Sequence, residues 1–187
     1  MVNRKIVRGR KRYSLGQVWI ETVIYTLIAF VMMGLILSYA KPKIEEIQDN
    51  ALLKQSTEML KEIDSTILTM GAAGNQRTPE VTIKKGSLTI DGRVGEDKII
   101  FEMDSKNIYS EPGRIINDGS VKVETVKKSG FNTVTLTLDY SEKYNIQFNG
   151  MEESKVISKS STPYNLIIAN SDPSSSTDKM IMNIKLG

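Results

Sequence analysis

From Val18 to Ala40 the chain carries a single acid, Glu21, and neither Lys nor Arg. No other feature restricts the fold so strongly, because such a stretch must be kept from water on every side. As a helix rising roughly 1.5 Å per residue, about 23 residues reach across the ~30 Å hydrocarbon layer of a bilayer. A helix on the surface of a soluble core keeps one polar face; this one is apolar all the way round, which argues for a membrane span. The flanks give it a direction. Arg4, Lys5, Arg8, Arg10, Lys11 and Arg12 precede it with no acid among the first sixteen residues, whereas Lys41 and Lys43 follow it and are soon answered by Glu45 and Glu46. The basic excess predicts a cytoplasmic N-terminus and an exported remainder. Trp19 and Tyr39 fall at the two ends, where interfacial aromatics belong.

Averages hide this concentration, since 40% hydrophobic and 25% charged residues describe an ordinary soluble protein. Two absences say more. There is no cysteine, so neither a disulfide framework nor thiolate chemistry is available. There is no histidine either, which removes the commonest general acid–base and the commonest transition-metal ligand. The sequence therefore points away from an enzyme and calls for no cofactor. The whole chain has 25 basic and 22 acidic residues, a net +3; without the six bases of residues 1–16, 19 bases face 22 acids, a net −3. A mildly acidic exported part argues against a nucleic-acid groove.

Beyond Pro42 the helical period persists but one face turns polar. Ile44, Ile47, Ala51, Leu52, Met59, Leu60, Ile63, Ile67 and Leu68 recur at steps of three and four, with Lys54, Glu58 and Lys61 spaced for ion pairs between them. This predicts an amphipathic stalk over residues 41–70, with Pro42 as a kink or a restart. "GAAGNQRTPE" then reads as a breaker and a linker over 71–79. From residue 80 the period drops to two. "VTIKKGSLTID" predicts two short strands around Lys85-Gly86, and Ile99, Phe101 and Met103 alternate in the next. In "FNTVTLTLDY" Val134, Leu136, Leu138 and Tyr140 share one face. Asn149-Gly150 is a hairpin signal. Eight or nine strands over 80–187 predict an α+β chain: a long helix followed by an antiparallel β-sandwich-like domain or a rolled sheet.

Glu21 needs a reason. An ionised carboxylate in a membrane helix costs about 2.5–3.5 kcal/mol on insertion scales. At the end of a span it can reach the headgroups, but its surroundings suggest more. A basic cluster ends at Gly16, Gln17 follows, and Glu21 is the fifth residue from there, at the head of the apolar run through Ala40. This arrangement resembles the class III leader of type IV pilins and of related archaeal pilin-like proteins. Leu15 and Ser14 stand where many archaeal leaders carry a base, and Arg12 is the nearest one. The resemblance implies that a prepilin peptidase cuts between Gly16 and Gln17, removing the leader 1–16 and leaving the apolar helix 17–40 on the mature protein. It implies that the freed ammonium of Gln17 pairs with Glu21 of a neighbouring copy in a filament core, which sets the register between copies. The partners it implies are other copies of the chain, the peptidase, an assembly ATPase with its platform protein, and membrane lipid.

Thr22, Thr26, Gly34 and Ser38 fall on a four-residue spacing broken by Phe30, which suits close helix packing. Asp91, Glu96 and Asp97 in "DGRVGED", and Asp172 and Asp178 in "SDPSSSTD", lack the spacing of a calcium loop and read as solvated turns. Ser154–Lys155 and Ser158–Lys159 read as surface strand residues rather than hydrolase dyads, and there is no N-x-S/T sequon. Two rivals to a pilus subunit share the anchor: an uncleaved single-span binding module, and a minor or priming pilin of a secretion or sensing apparatus.

Overall fold

The apolar run and the amphipathic stretch after it form one α-helix, α1 (Leu15–Leu68), which passes through Pro42. A computed structural model describes residues 15–71, 73–171 and 179–187. The basic segment 1–14 and the loop holding Asp172 and Asp178 lie outside the described residues. The chain divides into two units, Met1–Ile44 and Glu45–Gly187.

In the first unit every described side chain from Val18 to Tyr39 is exposed, Trp19 and Tyr39 among them. The helix is long and apolar enough to cross a membrane, with a mean hydropathy of 2.2 over its most apolar window. Pro42 has no amide to offer, so the Ser38 carbonyl one turn back goes without its usual helical donor.

The second unit holds the rest of α1 and, among the described residues, eleven strands: β1 (Gln76–Arg77), β2 (Glu80–Val81), β3 (Ser87–Asp91), β4 (Lys98–Ser105), β5 (Ile115–Asp118), β6 (Val121–Lys128), β7 (Phe131–Asp139), β8 (Tyr144–Phe148), β9 (Ser154–Ser158), β10 (Tyr164–Ser171) and β11 (Met180–Leu186). They make two sheets. One runs β1-β10-β11-β8, with β2 also on β10; the other runs β5-β6-β7-β4-β3-β9. The chain is thus α+β and rich in antiparallel pairs. The predicted alternation holds where it was clearest: Val134, Leu136 and Leu138 on β7, and Ile99, Phe101 and Met103 on β4, are all buried.

The two short strands predicted around Lys85-Gly86 are β2 and β3, which do not pair with each other: β2 pairs with β10, and β3 with β4 and β9. Gly86 serves to bring two backbones together: its φ is +87° and a Cβ there would lie 2.2 Å from the Glu102 carbonyl oxygen. Two expectations fail in detail. Asn149 and Gly150 do adopt the positive φ of a tight turn, 53° and 79°, but only one bridge, Phe148 to Met151, follows it. Beyond that bridge β8 stays in one sheet and β9 crosses to the other. Finally, β8 runs parallel to β11, so the domain is not wholly antiparallel. These pairings join segments far apart in sequence, which no local pattern specifies.

The helical face that enters the core keeps Met59, Leu60, Ile63 and Ile67 of the predicted stripe, adds Leu53 and loses the stripe's two ends. Leu53, Met59, Leu60, Ile63, Ile67 and Met70 are buried with residues of both sheets, whereas Ile44, Ile47 and Leu68 are at least half exposed. Polar groups share the buried face because each has a partner. Asp49 accepts from Lys85 Nζ at 2.5 Å, the Thr57 hydroxyl donates to the Leu53 carbonyl at 3.0 Å, and Asp64 accepts from the Tyr140 hydroxyl at 2.8 Å. The described residues of segment 71–79 are tied down as well. Gln76 and Arg77 extend the first sheet, the Gly74 amide donates to the Asn170 carbonyl, and Asn170 Nδ2 donates to the Gly71 carbonyl.

Candidate functional site

Gly16 and Gln17 lie in the first turn of α1, and Glu21 follows one turn later. Among the described side chains, Tyr25 reaches the acid: its hydroxyl donates to Glu21 Oε1 at 3.3 Å. Four residues separate the two, the spacing at which side chains meet on a helix. The sequence reading gave Glu21 a partner only in a neighbouring copy's Gln17; the Glu-x-x-x-Tyr spacing was the available signal for this pair within the chain.

The small residues behave differently from one another. Thr22 Oγ1 donates to the Val18 carbonyl at 2.9 Å, Thr26 Oγ1 to Thr22 at 2.8 Å, and Ser38 Oγ to Gly34 at 2.9 Å. Each hydroxyl is thereby satisfied within its own helix and presents no unpaired donor to an apolar neighbour. Beside Gly34 a Cβ would meet nothing within 4 Å, so the chain itself leaves that space open. The four do not form one narrow seam. A four-residue step drifts about 40° around a helix of 3.6 residues per turn, and Gly34 lies about 20 Å along the axis from Glu21. Glu21, Thr22, Tyr25 and Thr26 make one cluster; Gly34 and Ser38 make another.

The other acidic candidates are engaged separately. Asp91 takes two bonds from the Arg93 guanidinium, at 2.6 and 2.8 Å, and a third from the Arg93 amide, and the guanidinium holds its carboxyl below the usual range. Glu96 pairs with Lys98 at 2.6 Å, while Asp97 accepts the Ile146 amide at 2.8 Å and has Lys179 at 3.7 Å. Among the described residues no group of three or more His, Cys, Asp or Glu is gathered. Of the Ser–Lys pairs, the Ser158 carbonyl accepts the Tyr164 hydroxyl and the Lys155 ammonium sits 5.8 Å from the Phe148 ring centroid.

A polar cleft of about 280 Å³ opens beside β7, lined by Asp64, Lys122, Asp139, Tyr140 and Ser141 among others. Burial, ahead of the nearby Asp64 charge, pushes the Tyr140 hydroxyl far above its usual range, so it stays a donor. Asp139 accepts the Ser141 hydroxyl at 2.6 Å and Lys122 Nζ at 2.9 Å. The Ser141 hydroxyl, with the Lys122 ammonium, lowers the Asp139 carboxyl from 3.8 to about 2. A folded value below the unfolded one means stability that is whole above pH 3.8 and lost as the pH falls to about 2. Asp139→Asn is expected to flatten the dependence of stability on pH between those two values, as denaturant melts at a series of pH values will show.

No protein-family model matches the sequence, and neither a curated protein nor a solved structure matches the chain.

Proposed function

We propose that this chain is a pilin-like subunit of a type IV pilus-like surface filament, anchored in the membrane by its first helical segment before assembly. One observation carries the reading: a lone carboxylate, Glu21, stands in the first turns of a long, exposed, apolar helix, five residues from a glycine that ends a basic segment. A plain anchor has no use for a charge that costs about 2.5–3.5 kcal/mol in hydrocarbon. A filament subunit uses it, because cleavage after Gly16 uncovers an ammonium on Gln17 that a neighbour's Glu21 neutralises. Tyr25 fits this sequence of events, since its hydroxyl gives Glu21 one hydrogen bond until the stronger cationic partner arrives.

The helix through Ala40 forms the filament core, and the unit from Glu45, read as a sandwich-like pair of sheets backed by the amphipathic stalk, forms the outer surface. The role is structural rather than catalytic, with other copies and membrane lipid as the direct partners. The class III leader, the archaeal affinity and the peptidase, ATPase and platform partners belong to this same reading. Intact-mass measurement and N-terminal sequencing of the native protein test it. A chain beginning at Gln17 is expected. A native chain that still carries residues before Gln17 is an uncleaved anchor for a binding module, and the filament reading falls with it.

A further inference from the structure

The second sheet ends on β5 at one side and β9 at the other, and every pair within it is antiparallel. Six alternating strands leave the two edges running in opposite directions. A second copy set beside the first in the same orientation therefore brings its β9 antiparallel to the first copy's β5, and the ladder continues unchanged in type. We infer that β5 and β9 of successive copies pair in this way, with Ile116 opposite Ile157 and Asp118 opposite Lys155. The inference rests on the filament reading only for the choice of a second copy as the occupant.

The faces and charges of the two edges agree on that register. Ile116 lies opposite Val123 and Asp118 opposite Val121, so both belong to the core side of the sheet. Ile157 lies opposite Leu88 and Lys155 opposite Ile90, on the same side. In an antiparallel ladder two steps forward on one strand are two steps back on the other. Setting Ile116 against Ile157 thus sets Asp118 against Lys155 without further adjustment. On the outer side the same register puts Asn117 against Val156 and Ile115 against Ser158. The edges also carry apolar surface that no described residue covers: Ile116 is 43% exposed and Val156 57%. No proline interrupts either strand.

Both charged groups are already held in place, Asp118 by Lys61 at 2.8 Å and Lys155 against the Phe148 ring. Their pairing immobilises little that is now free. Edge lysines commonly prevent strands from adding to a sheet. Here the opposite edge supplies an acid at the matching position, so the lysine selects one partner. Because each copy uses two different edges, the contact is heterologous, and without a rotation that closes a ring it propagates as an open array.

The chain has no cysteine, so a pair introduced at Asn117 and Val156 reports this contact alone. Both positions are exposed. Asn117→Cys/Val156→Cys in the full chain, oxidised in native membranes, is expected to give a ladder of dimers, trimers and longer species that reductant collapses. Each single variant is expected to give none. The shifted pair Asn117→Cys/Lys159→Cys is expected to give a ladder weaker by about tenfold, because a disulfide tolerates only a narrow range of separations. No ladder from the first pair, an equal ladder from the shifted pair, or dimers from either single variant would overturn the edge pairing. Imaging of the unsubstituted chain separates the two ideas. Filaments without a ladder overturn the edge pairing alone, and a ladder without filaments upholds it while removing the filament reading.

Discussion

Glu21→Gln is expected to leave the chain inserted and folded but nearly without filaments. The substitution keeps size and hydrogen-bonding reach, and it removes a charge from the apolar segment, so anchoring itself becomes easier rather than harder. In the proposed filament, what it takes away is the partner of the Gln17 ammonium. Removing one member of a buried ion pair costs about 3–5 kcal/mol, because the other charge is left stranded. At about 1.4 kcal/mol per decade, that weakens each core contact by a factor on the order of 100 or more. Negative-stain imaging of cells or sheared fractions, with the membrane level of the subunit measured in parallel, checks it. Tyr25→Phe makes a useful comparison. It deletes the hydroxyl that Glu21 accepts from within its own chain and leaves the contact between copies intact, so filaments are expected to persist.

Leu60→Ala is expected to destabilise the second unit by about 2–5 kcal/mol, the range for emptying a fully buried leucine site. Leu60 is 0% exposed and packs in one core with residues of both sheets, so α1 beyond Glu45 is part of the domain rather than an appendage to it. Ile47→Ala provides the contrast. Ile47 is 67% exposed, and its truncation is expected to move stability by no more than about 0.5 kcal/mol. Denaturant melts of the full chain in detergent, followed by Trp-independent far-ultraviolet signal and by hydrogen exchange of the β-strand amides, measure both. Equal effects at the two positions would mean that the helix does not present the Leu53–Leu60–Ile67 face to the sheets.

Much of the architecture was legible in the sequence because it follows from short-range periodicity. The apolar run, the helical period after it and the alternation of Val134, Leu136 and Leu138 each express a single element meeting a single environment. The helical stripe was legible in its middle, where Met59, Leu60, Ile63 and Ile67 are buried, but not at its ends. Ile44, Ile47 and Leu68 fit a period of three and four as well as Leu53 does, and the buried face admits Asp49 and Asp64, which look like surface residues. Only their partners, Lys85 and Tyr140, make those acids suited to burial, and both partners lie elsewhere in the chain. The parallel β8–β11 pair and the departure of β9 after Asn149-Gly150 were hidden for the same reason. A turn dictates reversal of the chain but not which sheet the next strand joins. At the candidate site Glu21 stood out through its cost, whereas Tyr25 did not, since a tyrosine in an apolar helix is unremarked until its hydroxyl is seen to reach an acid.

The central claim is an ion pair between copies, and a structure of the native filament tests it most directly. Chains that begin at Gln17 are expected, with each free amine about 2.7–3.2 Å from the Glu21 carboxylate of a neighbouring copy. Filaments in which residue 17 is still preceded by the leader, or in which Glu21 faces water or only its own Tyr25, would contradict it.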